Sequence, residues 1–260
     1  MSRVIRLAMS PCPNDTFMFD AMVNGRIDTE GLKFEVAYLD IEQLNEAALE
    51  SKYDVTKCST ALLPAIIERY ALLDSGSALG RGNGPLLVRR KGEVEPLRRI
   101  AVPGVHTTAN MLVRKLFPEI VEREPRLFST IADAVAGGEF DGGVLIHEGR
   151  FVYDRHNLEL VADLGVEWER RTSLPLPLGS IVASRSLDAE TIKLVERVLR
   201  RSIEYAFSYP NESRDYVKQH AQELDDRVID SHIKLFVNDY SLSLGDEGRM
   251  AVEELTGVKL

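Results

Sequence analysis

Apolar and polar positions fall in short alternating blocks along this chain, strand-like and then helix-like, from the first residues almost to the last. Residues 4–9 are an apolar run with β-branched members, which predicts a buried strand. Pro11 and Pro13 end it, because neither has an N–H to give a ladder. Asn14, Asp15 and Thr16 then stand as helix caps ahead of Phe17, Met18, Phe19 and Met22. Leu32–Tyr38 reads as a second strand, and Asp40 caps a helix through Leu49 with Leu44, Ala47 and Ala48 on one face. Residues 53–57 predict a strand entering Cys58-Ser59-Thr60, and residues 61–69 a helix with Pro64 in its first turn.

A glycine-rich bend, Gly-Arg-Gly-Asn-Gly-Pro at 80–85, separates two extended pieces, 72–79 and 86–89. Its spacing is wrong for a dinucleotide fingerprint, and a proline follows where that motif needs a helix. A second unit begins near Leu97: strand Arg99–Val102, a turn at 103–108, and a helix at 109–116. An extended stretch at 126–129, a helix at 131–137, a buried strand at 142–146 and a strand at Leu158–Asp163 follow. The run Leu-Pro-Leu-Pro-Leu-Gly at 174–179 is extended and leads into 180–183. The rest is helical: Ala189–Ser208 repeats Ile192, Val195, Leu199, Ile203 and Ala206 at helical spacing, and Asn211, Asp225 and Gly245-Asp246 mark later starts. Two α/β units with a returning helical tail predict two lobes. Lobe one spans residues 1–90 plus 184–260 and lobe two 91–183, with extended crossings where the glycine-rich and proline-rich stretches lie.

Composition narrows the partners. The 260 residues are 44% hydrophobic and 28% charged, with a net charge of −9. An acidic chain with scattered Arg-Arg pairs has no basic stripe for nucleic acid. No apolar run approaches the roughly 18 residues of a membrane span, and the first nine residues do not read as a signal peptide. Cys12 and Cys58 make no disulfide framework, which points to a reduced, cytoplasmic protein. No two histidines stand at metal-ligand spacing, so no metal site is expected. The oligomeric state stays open.

Four junctions share one design: 10–16, 57–60, 103–109 and 146–151 each follow an apolar strand and carry small polar residues. In open α/β sheets ligands sit beyond the carboxyl ends of the strands, where such turns gather. Two junctions belong to each lobe, so a cleft between lobes is lined from both sides. Ser59, Thr107 and Thr108 offer hydroxyls and backbone N–H groups suited to a small-molecule carboxylate. His147, at the end of the strand Gly-Gly-Val-Leu-Ile, faces the same crevice as a candidate base. His106, His156, His220 and His232 read as structural or exposed.

Five runs together resemble the 1,4-dihydroxy-6-naphthoate synthase family, the menaquinone-biosynthetic lyases of the futalosine pathway. They are Ser10-Pro-Cys-Pro-Asn-Asp-Thr-Phe17, Leu79-Gly-Arg-Gly-x-Gly-Pro85, Val102-Pro-Gly-x-His-Thr-Thr-Ala109, Ile146-His-Glu-x-Arg-Phe151 and Leu174-Pro-Leu-Pro-Leu-Gly179. The resemblance implies a fold similar to type II periplasmic solute-binding proteins. It also implies cofactor-free cleavage of cyclic dehypoxanthinyl futalosine to 1,4-dihydroxy-6-naphthoate and dihydroxyacetone. His147 matches the family's proton acceptor, Lys57, Cys58 and Ser59 its first substrate-binding segment, and Thr108 with Ala109 its second. Cys58 would make its contact through backbone. Asn14, Asp15, Thr107 and Arg81, inside the same motifs, complete the expected substrate-binding set. Rival readings are the chorismate dehydratase of the same pathway and a non-catalytic protein that binds small carboxylates.

Overall fold

The structure, a computed structural model, describes residues 3–151, 153–221 and 225–260. It is an α/β fold of two lobes, each built on its own sheet. The first sheet begins with β1 (Arg3–Met9), which pairs in parallel with β2 (Leu32–Tyr38) and β3 (Val55–Ser59). Helices α1 (Pro13–Val23) and α2 (Ile41–Leu49) make the crossovers. α2 starts on a capping box, Asp40 accepting from Glu42 and Gln43 N–H while the Gln43 side chain accepts from Asp40 N–H. α1 starts differently from expectation. Its cap is Cys12 with Pro13 in the first turn, and no side chain caps it. Asp15, expected among the caps, turns its carboxylate back to Ser10 instead.

A 3₁₀ turn at Thr60–Leu62 leads into the short helix α3 (Leu63–Ile66). The strands β4 (Tyr70–Leu72) and β5 (Ala78–Gly80) then reach the bend. Beyond it β6 (Leu86–Arg90) enters the second sheet, with β7 (Arg99–Val102), β8 (Glu122–Pro125), β9 (Gly142–Leu145) and β10 (Leu158–Asp163) in the order β10-β6-β9-β7-β8. Helices α4 (Thr108–Leu116), α5 (Ile131–Ala136) and α6 (Leu164–Thr172) cover it. The strand β11 (Leu176–Ser184) returns to the first sheet between β3 and β4.

Sheet membership therefore moves both expected boundaries. β6, expected in lobe one, pairs with β9 and β10, and β11, expected in lobe two, pairs with β3, β4 and β5. The chain changes sheets within 81–85 and again within 173–175. The bend is glycine-rich because it is crowded: a Cβ on Gly84 would lie 2.4 Å from the backbone N of Gly165. Pro177 stays inside a strand because it sits at a register shift opposite β5, where a missing donor is tolerated.

Five helices end the chain: α7 (Ala189–Ser208), α8 (Arg214–His220), α9 (Asp226–Phe236), α10 (Asp239–Leu242) and α11 (Gly245–Thr256). α7 buries Val195, Val198, Leu199, Ile203 and Ala206 against α1 and β1, which makes the largest apolar core. The second sheet has its own core around Leu87, Ile100, Leu112, Val144 and Trp168. Among the described residues no helix is long and apolar enough to cross a membrane.

Candidate functional site

The carboxyl ends of β1, β3, β7 and β9 meet at a cavity of about 630 Å³, counted out to its mouth. β3 supplies its floor. Side chains alternate along a strand, so Lys57 and Ser59 face the cavity while Cys58 points the other way. Cys58 is fully buried among Leu62, Ile66 and Tyr70, and burial pushes its thiol up to about 12. Lys57, only 5% exposed, donates to Asp15 Oδ1 at 2.6 Å. The same oxygen accepts from Asn14 Nδ2 at 2.7 Å, and Oδ2 accepts from the Ser10 N–H and hydroxyl at 3.1 and 2.7 Å. Asp15 is thus a buried carboxylate with four donors.

His147 follows β9 with φ of +52°, a left-handed conformation that a non-glycine residue rarely adopts. It keeps some accessible surface, on the cavity, but protein surrounds it. Burial, with a smaller contribution from the Lys57 charge, pushes its imidazole down to about 3. The ring lies edge-on to Phe128, centroids 5.0 Å apart, and near-parallel to His232, centroids 6.1 Å apart with 19° between planes. His232, on α9, is 0% exposed and lines the cavity. Its Nε2 lies 3.0 Å from Asn14 Oδ1. Burial first, then His147, Lys57 and Arg150, hold His232 well below the usual histidine range.

The second polar group comes from hydroxyls and backbone. Ser59 is clamped by Asn45, which accepts from Ser59 N at 2.8 Å and donates to Ser59 Oγ at 3.0 Å. Thr107 caps α4, accepting from Asn110 N and donating to Gly104 O. Thr108 Oγ1 donates to Leu178 O at 2.8 Å and accepts from Ala61 N at 3.2 Å, tying the second lobe to the first. The first-turn amides of Thr108 and Ala109 have no intrahelical acceptors and open at the cavity. Glu42 on α2 accepts from His106 N and meets His106 Nδ1 at 2.7 Å, a further contact between lobes.

Seven of the expected residues line the cavity: Asn14, Lys57, Ser59, Thr107, Thr108, Ala109 and His147. Three do not. Asp15 lies beneath Lys57 and Asn14, and Cys58 faces the core behind β3. Arg81 is outside the lining and partly exposed, engaged by Glu169, Ser173 O and Glu247. The side chain of Glu148, within the motif of 146–151, lies outside the described part. Arg150 does line the cavity, held by Gly84 O at 2.6 Å and Asp163 at 3.1 Å. His232, which reads as structural or exposed from the sequence, and Phe236, which the sequence does not single out, line it too. Their signal was present: Val228, Ile229, His232 and Phe236 share one buried stripe of α9. Ile41, Pro85, Ile146, Leu178 and Phe236 supply apolar walls. Among the described residues, no three His, Cys, Asp or Glu side chains gather as metal ligands.

Two sheets meeting at a cleft with polar ends make an α/β fold of the periplasmic-binding-protein kind. A Candida albicans protein with that generic fold superposes at TM-score 0.72, over 97% of this chain and 88% of its own, at 14% identity. At that identity the likeness speaks for fold alone. The family profile described as menaquinone biosynthesis matches residues 5–258. The chain is 47% identical to the 1,4-dihydroxy-6-naphthoate synthase of Thermus thermophilus, over 96% of this chain and 92% of the relative. It is 41% identical to the enzyme of the same name from Streptomyces coelicolor, over 96% and 91%. The protein belongs to the menaquinone biosynthesis family.

Proposed function

We propose that this protein is a 1,4-dihydroxy-6-naphthoate synthase. It is a carbon–carbon lyase, acting in the cytoplasm on cyclic dehypoxanthinyl futalosine, with His147 as its general base and no cofactor. The observation that carries the reading is the His147 imidazole on the wall of an interlobe cavity, held in its neutral form by burial, with the Lys57 cation and two sets of backbone and hydroxyl donors around it. The identity to two enzymes of that name over nearly the whole chain supports the substrate class.

The chemistry suits the inventory. A base removes a proton from a substrate hydroxyl. The electron pair left on oxygen becomes a carbonyl as the neighbouring carbon–carbon bond breaks, and the carbanion released takes up a proton. Burial keeps the His147 imidazole uncharged at neutral pH, so one of its two ring nitrogens has a lone pair free to accept a proton. Lys57 Nζ, which needs only part of its donor capacity for Asp15, can hold developing oxyanion charge. Ser59, Thr107, Thr108 and the first turn of α4 suit the carboxylate and sugar oxygens. The flat apolar walls suit the aromatic ring, and the dry cleft excludes water from the departing fragment.

The test is to incubate purified protein with the cyclic futalosine derivative, and separately with chorismate, following naphthoate absorbance and the fate of each compound. Naphthoate and dihydroxyacetone in equal amounts are expected from the first, and unchanged chorismate from the second. Consumption of chorismate instead, or recovery of both compounds intact, overturns the proposal.

A further inference from the structure

No carboxylate or carbonyl among the described residues hydrogen-bonds to the His147 ring, so the usual means of orienting a basic imidazole is missing there. The side chains one would nominate are otherwise engaged. Asp15 is taken by Ser10, Asn14 and Lys57, Arg81 by Glu169 and Glu247, and Arg150 holds Gly84 O and Asp163. What does touch the ring is aromatic: the edge contact with Phe128 from its own lobe, and the near-parallel face of His232 from the other.

The His232 ring is itself held with a defined polarity. Lys57, an obligate donor, and Ser10 point their hydrogens at Asp15, so Asp15 is an acceptor at both oxygens. Asn14 must therefore turn its NH₂ to Asp15 and its Oδ1 to His232. An amide oxygen accepts only, so His232 Nε2 carries the proton and donates. A buried chain of four side chains thus fixes one tautomer and one ring plane 6.1 Å from His147.

We propose that His232 is the positioning residue for His147: its ring, locked by Asn14 and Asp15, sets the plane of the His147 imidazole when the lobes are together. The role rests on His147 being the base, and it makes the alignment of that base a product of both lobes. α9 belongs to the first lobe and His147 follows a strand of the second, so the two rings meet only across the cleft. Phe128 alone, in an edge contact, restricts rotation less than two partners do. A strained backbone at φ +52° is also kept in place only by surroundings that over-determine it.

Two variants separate ring from donor. His232→Gln keeps an N–H near the Nε2 position for Asn14 but removes the ring face. His232→Phe keeps a ring face but no donor. The expected result is a kcat about tenfold or more below the parent for H232Q with KM within about threefold, and H232F closer to the parent in kcat. Imidazole NMR of histidine-labelled protein reads His147 without turnover. Its ring signals should be single and sharp in the parent, broadened or averaged in H232Q, and intermediate in H232F, which keeps the ring face without the Asn14 lock. Equal losses in both variants, a change in KM alone, or sharp unshifted His147 signals in H232Q overturn the proposal. His147→Asn run in parallel reports on the base itself: full turnover there removes the base assignment, while the NMR result still decides whether His232 orients the ring.

Discussion

Lys57 and Arg81 each meet a carboxylate, at 2.6 Å from Asp15 and 2.8 Å from Glu169, but the surroundings differ. The Lys57 and Asp15 side chains are 6% and 0% exposed, while Arg81 and Glu169 are 40% and 31% exposed. At the partly exposed Arg81 pair, water already solvates both charges, and the pair adds little to what each ion would have alone. On the cavity floor, each ion lost its hydration on folding, and the partner plus Ser10 and Asn14 must stand in for water. The same kind of contact is thus optional at one place and obligatory at the other. The obligatory one carries consequences into the cleft, because it polarises Asn14 and through it His232.

The largest expected effect breaks the buried pair. Lys57→Met leaves Asp15 as an uncompensated charge in the core, and unfolding free energy should fall by about 3–5 kcal/mol. Denaturant titration checks this. Adding Asp15→Leu to that variant should restore part of the loss, because no lone charge is left. If the single variant is as stable as the parent, the cavity floor is wetter than its burial indicates, and the contrast with Arg81 dissolves.

Next in size is chemistry at the same floor. His147→Asn keeps a hydrogen-bonding side chain but removes the base, so turnover should drop by roughly two orders of magnitude or more, with KM within a few-fold. Near-parent turnover takes His147 out of the reaction. Both this variant and Lys57→Met bear on positions that the amino-acid pattern had already placed. Apolar runs that give way to proline or small polar residues mark the ends of β1, β3, β7 and β9, and period-two alternation puts Lys57 and Ser59 together. That same alternation turns the Cys58 side chain to the core, which leaves its backbone for the contact that the resemblance implies.

What pattern could not place are contacts made far along the chain. His232 lies 218 positions from Asn14, and nothing local to α9 announces that its apolar stripe faces a cleft rather than a core. α6 escaped because Leu164 and Trp168 are its only deeply buried large side chains, too few to show a period. Arg81 drew attention through its neighbours. In the bend Gly84 is crowded against Gly165 and Gly80 against the Asn83 side chain, while Gly82 has open space and a φ of +64°, so the motif describes a close crossing and a tight turn rather than a ligand contact at the arginine.

A third, smaller effect is set by pH. His147 is held down to about 3 and His232 well below its ordinary value, so between about 6.5 and 3 the unfolded chain binds protons that the folded one refuses. Stability therefore rises with pH in that window and is lost as pH falls through it, by about 1.4 kcal/mol per pH unit for each imidazole. Denaturant titrations at pH 7, 6 and 5 should show His147→Asn with the shallower loss, by one proton. Identical slopes for parent and variant mean that His147 takes up a proton in the folded state, and the dry-floor account fails.

The smallest effect belongs to the surface pairs of Arg81. Arg81→Ala removes contacts to Glu169, Ser173 O and Glu247 at once, so a count of interactions suggests a large loss. Exposure argues otherwise. Glu169 and Glu247 regain water when the guanidinium goes, Glu169 still accepts from Gly82 N, and Glu247 keeps Tyr240. The expected change in unfolding free energy is about 1 kcal/mol or less, smaller still at high salt, where surface pairs are screened. Turnover should stay near the parent value, because Arg81 does not line the cavity. Paired titrations of Arg81→Ala and Lys57→Met at low and high salt put the comparison on one scale. A salt-sensitive, minor loss at the surface beside a salt-insensitive, major loss on the cavity floor is the expected result. A large loss for Arg81→Ala would mean that its bridge from Glu169 to Glu247 holds the two lobes together as much as the buried pair holds the floor.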